Sequence, residues 1–345
     1  MKPTLLLTLI GLYNWSHALG LWFKAPSYHP EPIDTTVYSN LFTYAHLIDI
    51  AYCVDKFHQI GEPFDCELAC SSRFPNMTLV KQWYFDDSVA GYIATTHSNI
   101  FQYKDPSTIM SRKKKTIVVS LRGTRSLYDT IADLKVDMVS YSNLRYSLPY
   151  CGLNCKIHIG FNEYFQNTIR TIHLVLENEL EDLEDYELVM LGHSMGGSVA
   201  LLLALHYLDL GYGKITLVTM GQPLVGNREF TTWADYVLGS YMPVTHNTFD
   251  RIYLRVVHKG DIVTTIPKNG GLLFEHYYQF DNQIYLNVSA RDTMPGPQQV
   301  VDCFSGDNSR CIAKDFQARD LISNNYYENH NTYFRRLGLC GILPV

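Results

Sequence analysis

The sequence predicts a three-layer α/β protein in which strands and helices alternate along the chain. Two observations favour this class: short β-branched apolar runs end at glycines, and apolar helical stripes lie between them. Strands separated by helices pair in parallel through crossover connections, which places helices on both faces of a mostly parallel central sheet. Because functional groups gather at the carboxyl edge of such sheets, the residues that follow each strand are the first candidates for a site.

Four strands and two helices carry the prediction. We expect the strands over residues 117–121, 188–191, 215–220 and 252–258, and the helices over residues 161–176 and 195–208. The segment from Leu21 to about Ser39 contains three prolines, and we expect it to be extended. Since no linker, composition shift or repeat divides the rest, residues 21–345 are expected to form a single domain.

Residues 1–20 have the features of a secretory signal peptide. Lys2 precedes the apolar run from Leu5 to Tyr13, and the small residues Ala18 and Gly20 follow. An amphipathic helix, the alternative, would need a polar face that residues 5–12 lack. We therefore expect an extracellular, secreted protein.

Charge and hydrophobicity exclude several classes of protein. The 345 residues contain 28 Lys and Arg against 34 Asp and Glu, a net charge of −6, which argues against a nucleic-acid partner. The one basic run, residues 112–115, is explained by an exposed loop. No apolar run approaches the roughly 20 residues that span a bilayer, so we expect no transmembrane segment. We also expect a monomer.

The eight cysteines predict disulfides, because an even count in an oxidising compartment indicates pairing. Short spacings favour the pairs Cys66–Cys70, Cys151–Cys155 and Cys303–Cys311, which leaves Cys53 and Cys340 to join distant segments. Zinc binding is the alternative, but no CxxC pair and no histidine at ligand spacing accompanies the cysteines. We therefore expect no metal and no cofactor.

Two sequons are compatible with secretion. Asn76 and Asn287 each stand two residues before a threonine or serine and are candidate glycosylation sites.

The strongest functional signal is Gly192-His193-Ser194-Met195-Gly196, a G-x-S-x-G segment between a predicted strand and a predicted helix. A turn this tight strains the serine and lifts its hydroxyl clear of the sheet, and Gly192 and Gly196 lack the Cβ atoms that would collide. The helix N-terminus also points at the reacting centre, where it favours negative charge. Ser194 is therefore the predicted nucleophile.

Such a serine needs a base held by an acid, and for this elbow the acid precedes the histidine in the chain. Asp261 follows the predicted strand 252–258, whereas Asp250 and Asp281 lack that placement. The downstream histidines are His276 and His330, and we favour His330 because His276 lies among aromatic residues typical of a packed histidine.

Two backbone N–H groups are predicted to bind the oxyanion. One belongs to Met195, after the nucleophile, and the other to Thr124, in the loop after the strand 117–121. Beyond Thr124, the spacing of Leu127, Ile131, Leu134 and Met138 predicts an amphipathic helix. It is either a lid over the site or an ordinary surface helix, and the sequence favours neither.

Together these segments resemble the fungal class 3 lipases, with particular similarity to secreted yeast triacylglycerol lipases. The resemblance spans about Val37 to Ile342 and is carried by residues 122–126, 192–197, 221–227 and 261–263, and by His330 with Tyr333 and Phe334. It implies an α/β-hydrolase fold, a Ser194-Asp261-His330 triad, an oxyanion hole at Thr124 and Met195, a helical lid and the four disulfides paired above. Met195 departs from the leucine typical of the yeast lipases.

The resemblance implies a triacylglycerol lipase that acts on long-chain esters at an oil–water interface without a metal. A carboxylesterase, feruloyl esterase or phospholipase on the same scaffold is the alternative. A secreted binding protein without activity is a third possibility, against which the intact Ser194, Asp261 and His330 argue.

Overall fold

The computed structural model describes residues 29–85, 89–102, 114–125, 136–181, 185–244, 251–267, 276–289, 292–311 and 325–340. In chain order the strands are β1 (Glu31–Pro32), β2 (Thr78–Tyr84), β3 (Ala90–Thr96), β4 (Lys115–Arg122), β5 (Met138–Ser140), β6 (Lys156–His158), β7 (Tyr186–His193), β8 (Ile215–Met220), β9 (Tyr253–His258), β10 (Ile284–Leu286) and β11 (Val300–Asp302). The helices are α1 (Thr35–Ile50), α2 (Cys70–Arg73), α3 (Ile159–Leu180), α4 (Met195–Asp209), α5 (Arg228–Val237) and α6 (Asn325–Asn331). The predicted signal peptide lies outside the described residues.

Nine of the eleven described strands form a mixed sheet in the order β1-β11-β10-β9-β8-β7-β4-β3-β2, and β5 and β6 form a separate antiparallel pair. The central strands from β4 through β7, β8 and β9 to β10 pair in parallel, and the strands at both edges pair antiparallel. The alternation of strands and helices therefore identified the parallel centre. The antiparallel edges were not foreseen, because the sequence predicted strands only at β4, β7, β8 and β9.

Helices cover both faces of the sheet, which gives the three predicted layers. Along β4, Val118 belongs to the apolar cluster that contains α1, whereas Ile117 and Val119 belong to the cluster that contains α3 and α4. This division follows from the alternation of side chains along a strand. Both clusters are apolar because each strand of the parallel centre is covered on both sides.

The predicted extended segment ends earlier than expected, since residues 35–39 are already part of α1. The reason is Asp34, whose side chain accepts hydrogen bonds from the backbone N–H groups of Thr36 and Val37. An aspartate in this position satisfies the N–H groups that a helix start leaves without partners, so it starts the helix soon after the last proline.

Four disulfides link the chain, with the pairs Cys53–Cys340, Cys66–Cys70, Cys151–Cys155 and Cys303–Cys311. These are the pairs that the spacing and the resemblance imply. The Cys53–Cys340 bridge has the functional consequence, because it ties the residues after α1 to the segment that follows α6. Residues 331–340 connect His330, near the end of α6, to Cys340.

Candidate active site

Ser194 lies at the turn between β7 and α4, as the motif predicts. Its backbone has φ +57° and ψ −134°, a conformation that costs a non-glycine residue energy and persists only where the surroundings enforce it. The Ser194 N–H donates to Met220 O at 2.9 Å, which anchors the turn to the end of β8. A Cβ atom on Gly192 would lie 2.4 Å from Gly196 O, so the turn closes only without one.

Asp261 and His330 form a buried pair at the same edge of the sheet. His330 Nδ1 lies 3.0 Å from both carboxylate oxygens of Asp261, and the Tyr333 hydroxyl donates to Asp261 Oδ2 at 2.6 Å. Val263 N–H donates to Asp261 Oδ1 at 3.0 Å. With Nδ1 committed to the carboxylate, only Nε2 of His330 remains to accept a proton from the nucleophile, and this buried nitrogen has no hydrogen-bond partner among the described residues.

The pKa of Asp261 is lower than the usual value of an aspartate. Burial raises this pKa, but the charge of His330 and the hydrogen bonds from His330 and Tyr333 lower it by more. The carboxylate therefore stays ionised and can stabilise a protonated imidazole beside it.

The chain brings the elbow and the histidine together through neighbouring residues. A Cβ atom on Gly221, the residue after Met220, would lie 3.0 Å from His330 Cε1 and from Asp261 Oδ2. The rings of His193 and His330 have centroids 4.6 Å apart. His193, which precedes Ser194, and Gly221, which follows Met220, thus both contact the Asp261–His330 pair.

A buried histidine and a buried tyrosine hold the backbone of His330 through two consecutive hydrogen bonds. His193 Nε2 lies 2.8 Å from His330 O, and the Tyr52 hydroxyl lies 2.5 Å from His193 Nδ1. Burial, with the nearby charge of His330, lowers the pKa of His193 to about 3, so the ring is neutral. Because a carbonyl only accepts, Nε2 carries the proton and Nδ1 accepts from Tyr52. Neither Tyr52 nor His193 has a role that the sequence predicts.

The oxyanion loop, residues 122–125, lies against the nucleophile. A Cβ atom on Gly123 would lie 2.7 Å from Ser194 Cβ and 3.1 Å from Met195 N. The buried Arg122 donates from Nη1 to Gly123 O at 2.8 Å and from Nε to Val54 O at 3.1 Å. Gly123 O belongs to the same peptide unit as the Thr124 N–H, so Arg122 fixes the orientation of that group.

The remaining predicted residues have different outcomes. Leu127, Ile131 and Leu134 of the predicted amphipathic helix lie outside the described residues. Met138 is not helical as predicted: it begins β5 and pairs with His158 of β6. The next pair joins Val139 and Ile157, which are β-branched residues that favour strands.

His276 is exposed rather than packed, and Asn76 and Asn287 are both exposed. Within the part of the chain that the structure describes, no group of three or more His, Cys, Asp or Glu side chains could hold a metal ion. Among the helices of those same residues, none is both long enough and apolar enough to cross a membrane.

Comparisons with known proteins agree with this architecture. Residues 118–270 match the class 3 lipase family. A secreted mono- and diacylglycerol lipase from Gibberella zeae is 29% identical, over 92% of this chain and 85% of that protein. Lipase A from Sodiomyces alcalophilus is 26% identical, over 98% and 92% of the two chains. The crystal structure of Lip2 lipase from Yarrowia lipolytica is 28% identical, covers 91% of this chain and 99% of that one, and superposes with a TM-score of 0.72.

The fold and the elbow thus define a hydrolase of the α/β class. The chain is similar to the fungal class 3 lipases, whose family matches residues 118–270.

Proposed function

We propose that this protein is a secreted triacylglycerol lipase that hydrolyses fatty-acyl esters of glycerol with Ser194, Asp261 and His330. One observation carries the proposal: a buried histidine, paired through Nδ1 with an ionised aspartate, packs against the residue that precedes a strained serine at a helix N-terminus, and its Nε2 has no partner among the described residues. This is the arrangement that nucleophilic acyl transfer requires. Secretion is supported by the signal peptide that the sequence predicts, by four disulfides and by the relative from Gibberella zeae that is named as secreted.

The reaction proceeds by acyl transfer in two halves. His330 Nε2 accepts the proton of Ser194 as Oγ attacks the ester carbonyl, and Asp261 stabilises the imidazolium that forms. The backbone N–H groups of Met195 and Thr124 bind the oxyanion. The alcohol leaves with the proton from His330, and a water molecule then repeats these steps on the acyl-enzyme, releasing the fatty acid and restoring Ser194.

Replacing the nucleophile tests the proposal. Ser194→Ala should lower kcat on a dissolved short-chain ester by about 10⁵-fold, since the triad members act as a unit. Ser198→Ala is the matched control: Ser198 lies one turn along α4 and is buried, and its hydroxyl has no hydrogen-bond partner among the described residues. The control should keep kcat within about twofold. Full hydrolysis by Ser194→Ala would refute the site.

The substrate class is tested with emulsions. Ser194 is only 3% exposed, so a bulky ester reaches its hydroxyl only when covering atoms move. A lipase should respond to an interface, and its rate on a short triglyceride should rise abruptly once the substrate exceeds its solubility. A rate that saturates smoothly below that limit would instead favour a carboxylesterase.

A preference for partial glycerides is the second candidate, because the Gibberella zeae relative is named for mono- and diacylglycerols. Rates on emulsified triacylglycerol and diacylglycerol of one chain length, measured side by side, distinguish the two. A negligible triacylglycerol rate beside a high diacylglycerol rate would select the second candidate.

A further inference from the structure

Arg125 directly follows Thr124 and contacts three groups from two distant parts of the chain. Its Nη2 donates to Tyr52 O, to Asp55 Oδ2 at 3.0 Å and to Cys340 O at 3.0 Å. Tyr52 precedes Cys53, and Cys53 forms the disulfide with Cys340. The Arg125 guanidinium therefore bridges the same two segments that the disulfide joins.

These contacts fix the chain immediately after the predicted oxyanion donor. On the other side of Thr124, the Gly123 carbonyl accepts from Arg122, and the Gly123 backbone also hydrogen-bonds the Tyr52 hydroxyl. Thr124 is thus held between two anchored residues. Tyr52 takes part at both ends, since its hydroxyl contacts Gly123 and its carbonyl accepts from Arg125.

We propose that Arg125 is a positioning residue for the oxyanion hole: its bridge to Asp55, Tyr52 and Cys340 holds the Thr124 N–H at the distance that the developing oxyanion requires. The inference rests on the proposed function, because it assumes that Thr124 binds the oxyanion. It adds a residue whose side chain touches neither the substrate nor the triad. Through Tyr52 and Cys340, the same bridge couples the oxyanion loop to the segment that carries His330.

The ion pair with Asp55 is suited to this role. Burial raises the pKa of Asp55, but hydrogen bonds from Phe57 N–H and from the His58 backbone and ring, with the charge of Arg125, lower it overall. The carboxylate is therefore ionised at neutral pH. The side chains of Arg125 and Asp55 are 19% and 11% exposed, so water competes with the pair only in part.

Oxyanion stabilisation is sensitive to small displacements. Removal of one donor costs about 10²–10³ in rate, and a misplacement of about 1 Å can cost about 10². A loop that loses its anchor after Thr124 keeps the donor but loses its alignment. The cost should appear in kcat, because the oxyanion exists only in the transition state and the intermediate.

Arg125→Met tests the proposal against a matched control, Lys115→Met. Lys115 begins strand β4, whose opposite end leads to Arg125, and it also forms one partly buried ion pair, with Glu179 at 2.5 Å. The Lys115 side chain is 18% exposed, close to the 19% of Arg125. Each variant loses one comparable ion pair, in β4 for Lys115→Met and just after β4 for Arg125→Met. Only Arg125→Met loses it beside Thr124.

The expected result is a split between kinetic constants. On a dissolved ester, with active sites counted by a covalent phosphonate, Arg125→Met should lower kcat by about 10- to 100-fold and leave KM within about threefold. The rate of inactivation by the phosphonate should fall by a similar factor, because its P=O group occupies the same donors. Lys115→Met should change kcat and the rate of inactivation by no more than about twofold.

Graded variants keep the test decisive if Arg125→Met folds poorly. Arg125→Lys retains a charge but not the planar fork, and Asp55→Asn retains the arginine but removes its charged partner. Each should lower kcat per titrated site by about 3- to 10-fold. A kcat per titrated site equal to that of Lys115→Met in all of these variants would overturn the inference, even if the melting temperature fell.

Failure of the proposed function gives a different result. In that case the wild-type protein would show no ester hydrolysis that depends on Ser194, and no variant could be ranked. A wild-type enzyme that is active and loses activity with Ser194→Ala, but is insensitive to Arg125, contradicts only the role of Arg125.

Discussion

Asp261 and Asp235 are both buried carboxyl groups, and their pKa values move in opposite directions. Asp261, at the catalytic edge of the sheet, faces the ring of His330, the Tyr333 hydroxyl and a backbone N–H. Burial raises its pKa, but the charge of His330 and the hydrogen bonds from His330 and Tyr333 lower it by more, so the net shift is downward.

Asp235 lies in α5 and is not part of the proposed triad. Burial raises its pKa to about 7, and the charge of Asp281 adds to the rise. Hydrogen bonds from Ser240 and from the Asp281 N–H oppose the shift, but only in part. Arg255 lowers the pKa least of the groups involved.

The comparison shows that burial alone would make either group a neutral acid. What keeps Asp261 ionised is an adjacent imidazole and two donors aimed at its oxygens. A catalytic aspartate must be an anion when the histidine becomes protonated, and the site supplies the partners that this requires. Asp235 has donors but no adjacent cationic ring, and it is half-protonated near neutral pH.

The largest expected effect comes from removing the charge at Asp261. Asp261→Asn should lower kcat by about 10⁴-fold, since the amide can hold His330 in the wrong tautomer and cannot stabilise the imidazolium. Steady-state rates on a dissolved ester measure the loss, and circular dichroism confirms the fold. Asp235→Asn makes the same substitution at the other buried carboxyl and should keep kcat within about twofold. An Asp261→Asn enzyme with a tenth of normal kcat would contradict the assignment.

A smaller effect is expected from Tyr333→Phe. The variant removes the hydrogen bond to Asp261 Oδ2 and leaves the His258 N–H, which donates to the Tyr333 hydroxyl at 3.1 Å, without its acceptor. We expect kcat to fall by about 3- to 10-fold and the free energy of unfolding by about 2–4 kcal/mol at pH 7.

The stability loss should depend on pH with a defined sign. Because the folded pKa of Asp261 is lowered, its contribution is present above the usual aspartate pKa and is lost as the pH falls. Urea unfolding should therefore show a constant gap between Tyr333→Phe and the wild type from pH 7 to about pH 5, and a gap that narrows as the pH falls below about 4. Tyr92→Phe, which loses a buried hydroxyl bonded to Leu47 O at 2.9 Å, should show a gap independent of pH. An equal pH dependence in both variants would exclude the charged bond.

The same contrast explains what the sequence could predict. The elbow at Ser194 lies in one contiguous segment, and its strand and helix follow from local periodicity, so residues 186–193 and 195–209 were located to within two residues at each end. Asp261 and His330 could be proposed because the elbow fixes their order in the chain. These predictions rest on patterns within short segments or on the order of the residues along the chain.

The residues that hold the triad in place could not be predicted in this way. Tyr52, His193 and Arg125 act through contacts that span more than 70 residues. No local pattern distinguishes Tyr52 from an ordinary core tyrosine or Arg125 from an ordinary loop arginine. The G-x-S-x-G motif does not specify the residue type at the position of His193. The edge strand β1 was missed for the same reason, because it pairs with β11 near the other end of the chain.

The smallest expected effect concerns Asp235 and sharpens the comparison most directly. Because its folded pKa is raised to about 7, the folded state holds a proton that the unfolded chain releases at lower pH. Stability from this group is therefore highest below the usual aspartate pKa and falls as the pH rises towards the folded value. Asp235→Asn removes the cost of ionising a buried carboxyl, and it should gain about 1–3 kcal/mol relative to the wild type between pH 5 and pH 8.

Urea unfolding of both proteins at the two pH values measures this relative gain. Asp55→Asn is the opposite control, because the lowered pKa of Asp55 predicts that its removal costs stability at pH 8. The two carboxyl groups thus predict opposite signs for one chemical substitution. If Asp235→Asn lost stability as the pH rose, the partners of Asp235 would have to hold an anion as those of Asp261 do, and the contrast between the two regions would fail.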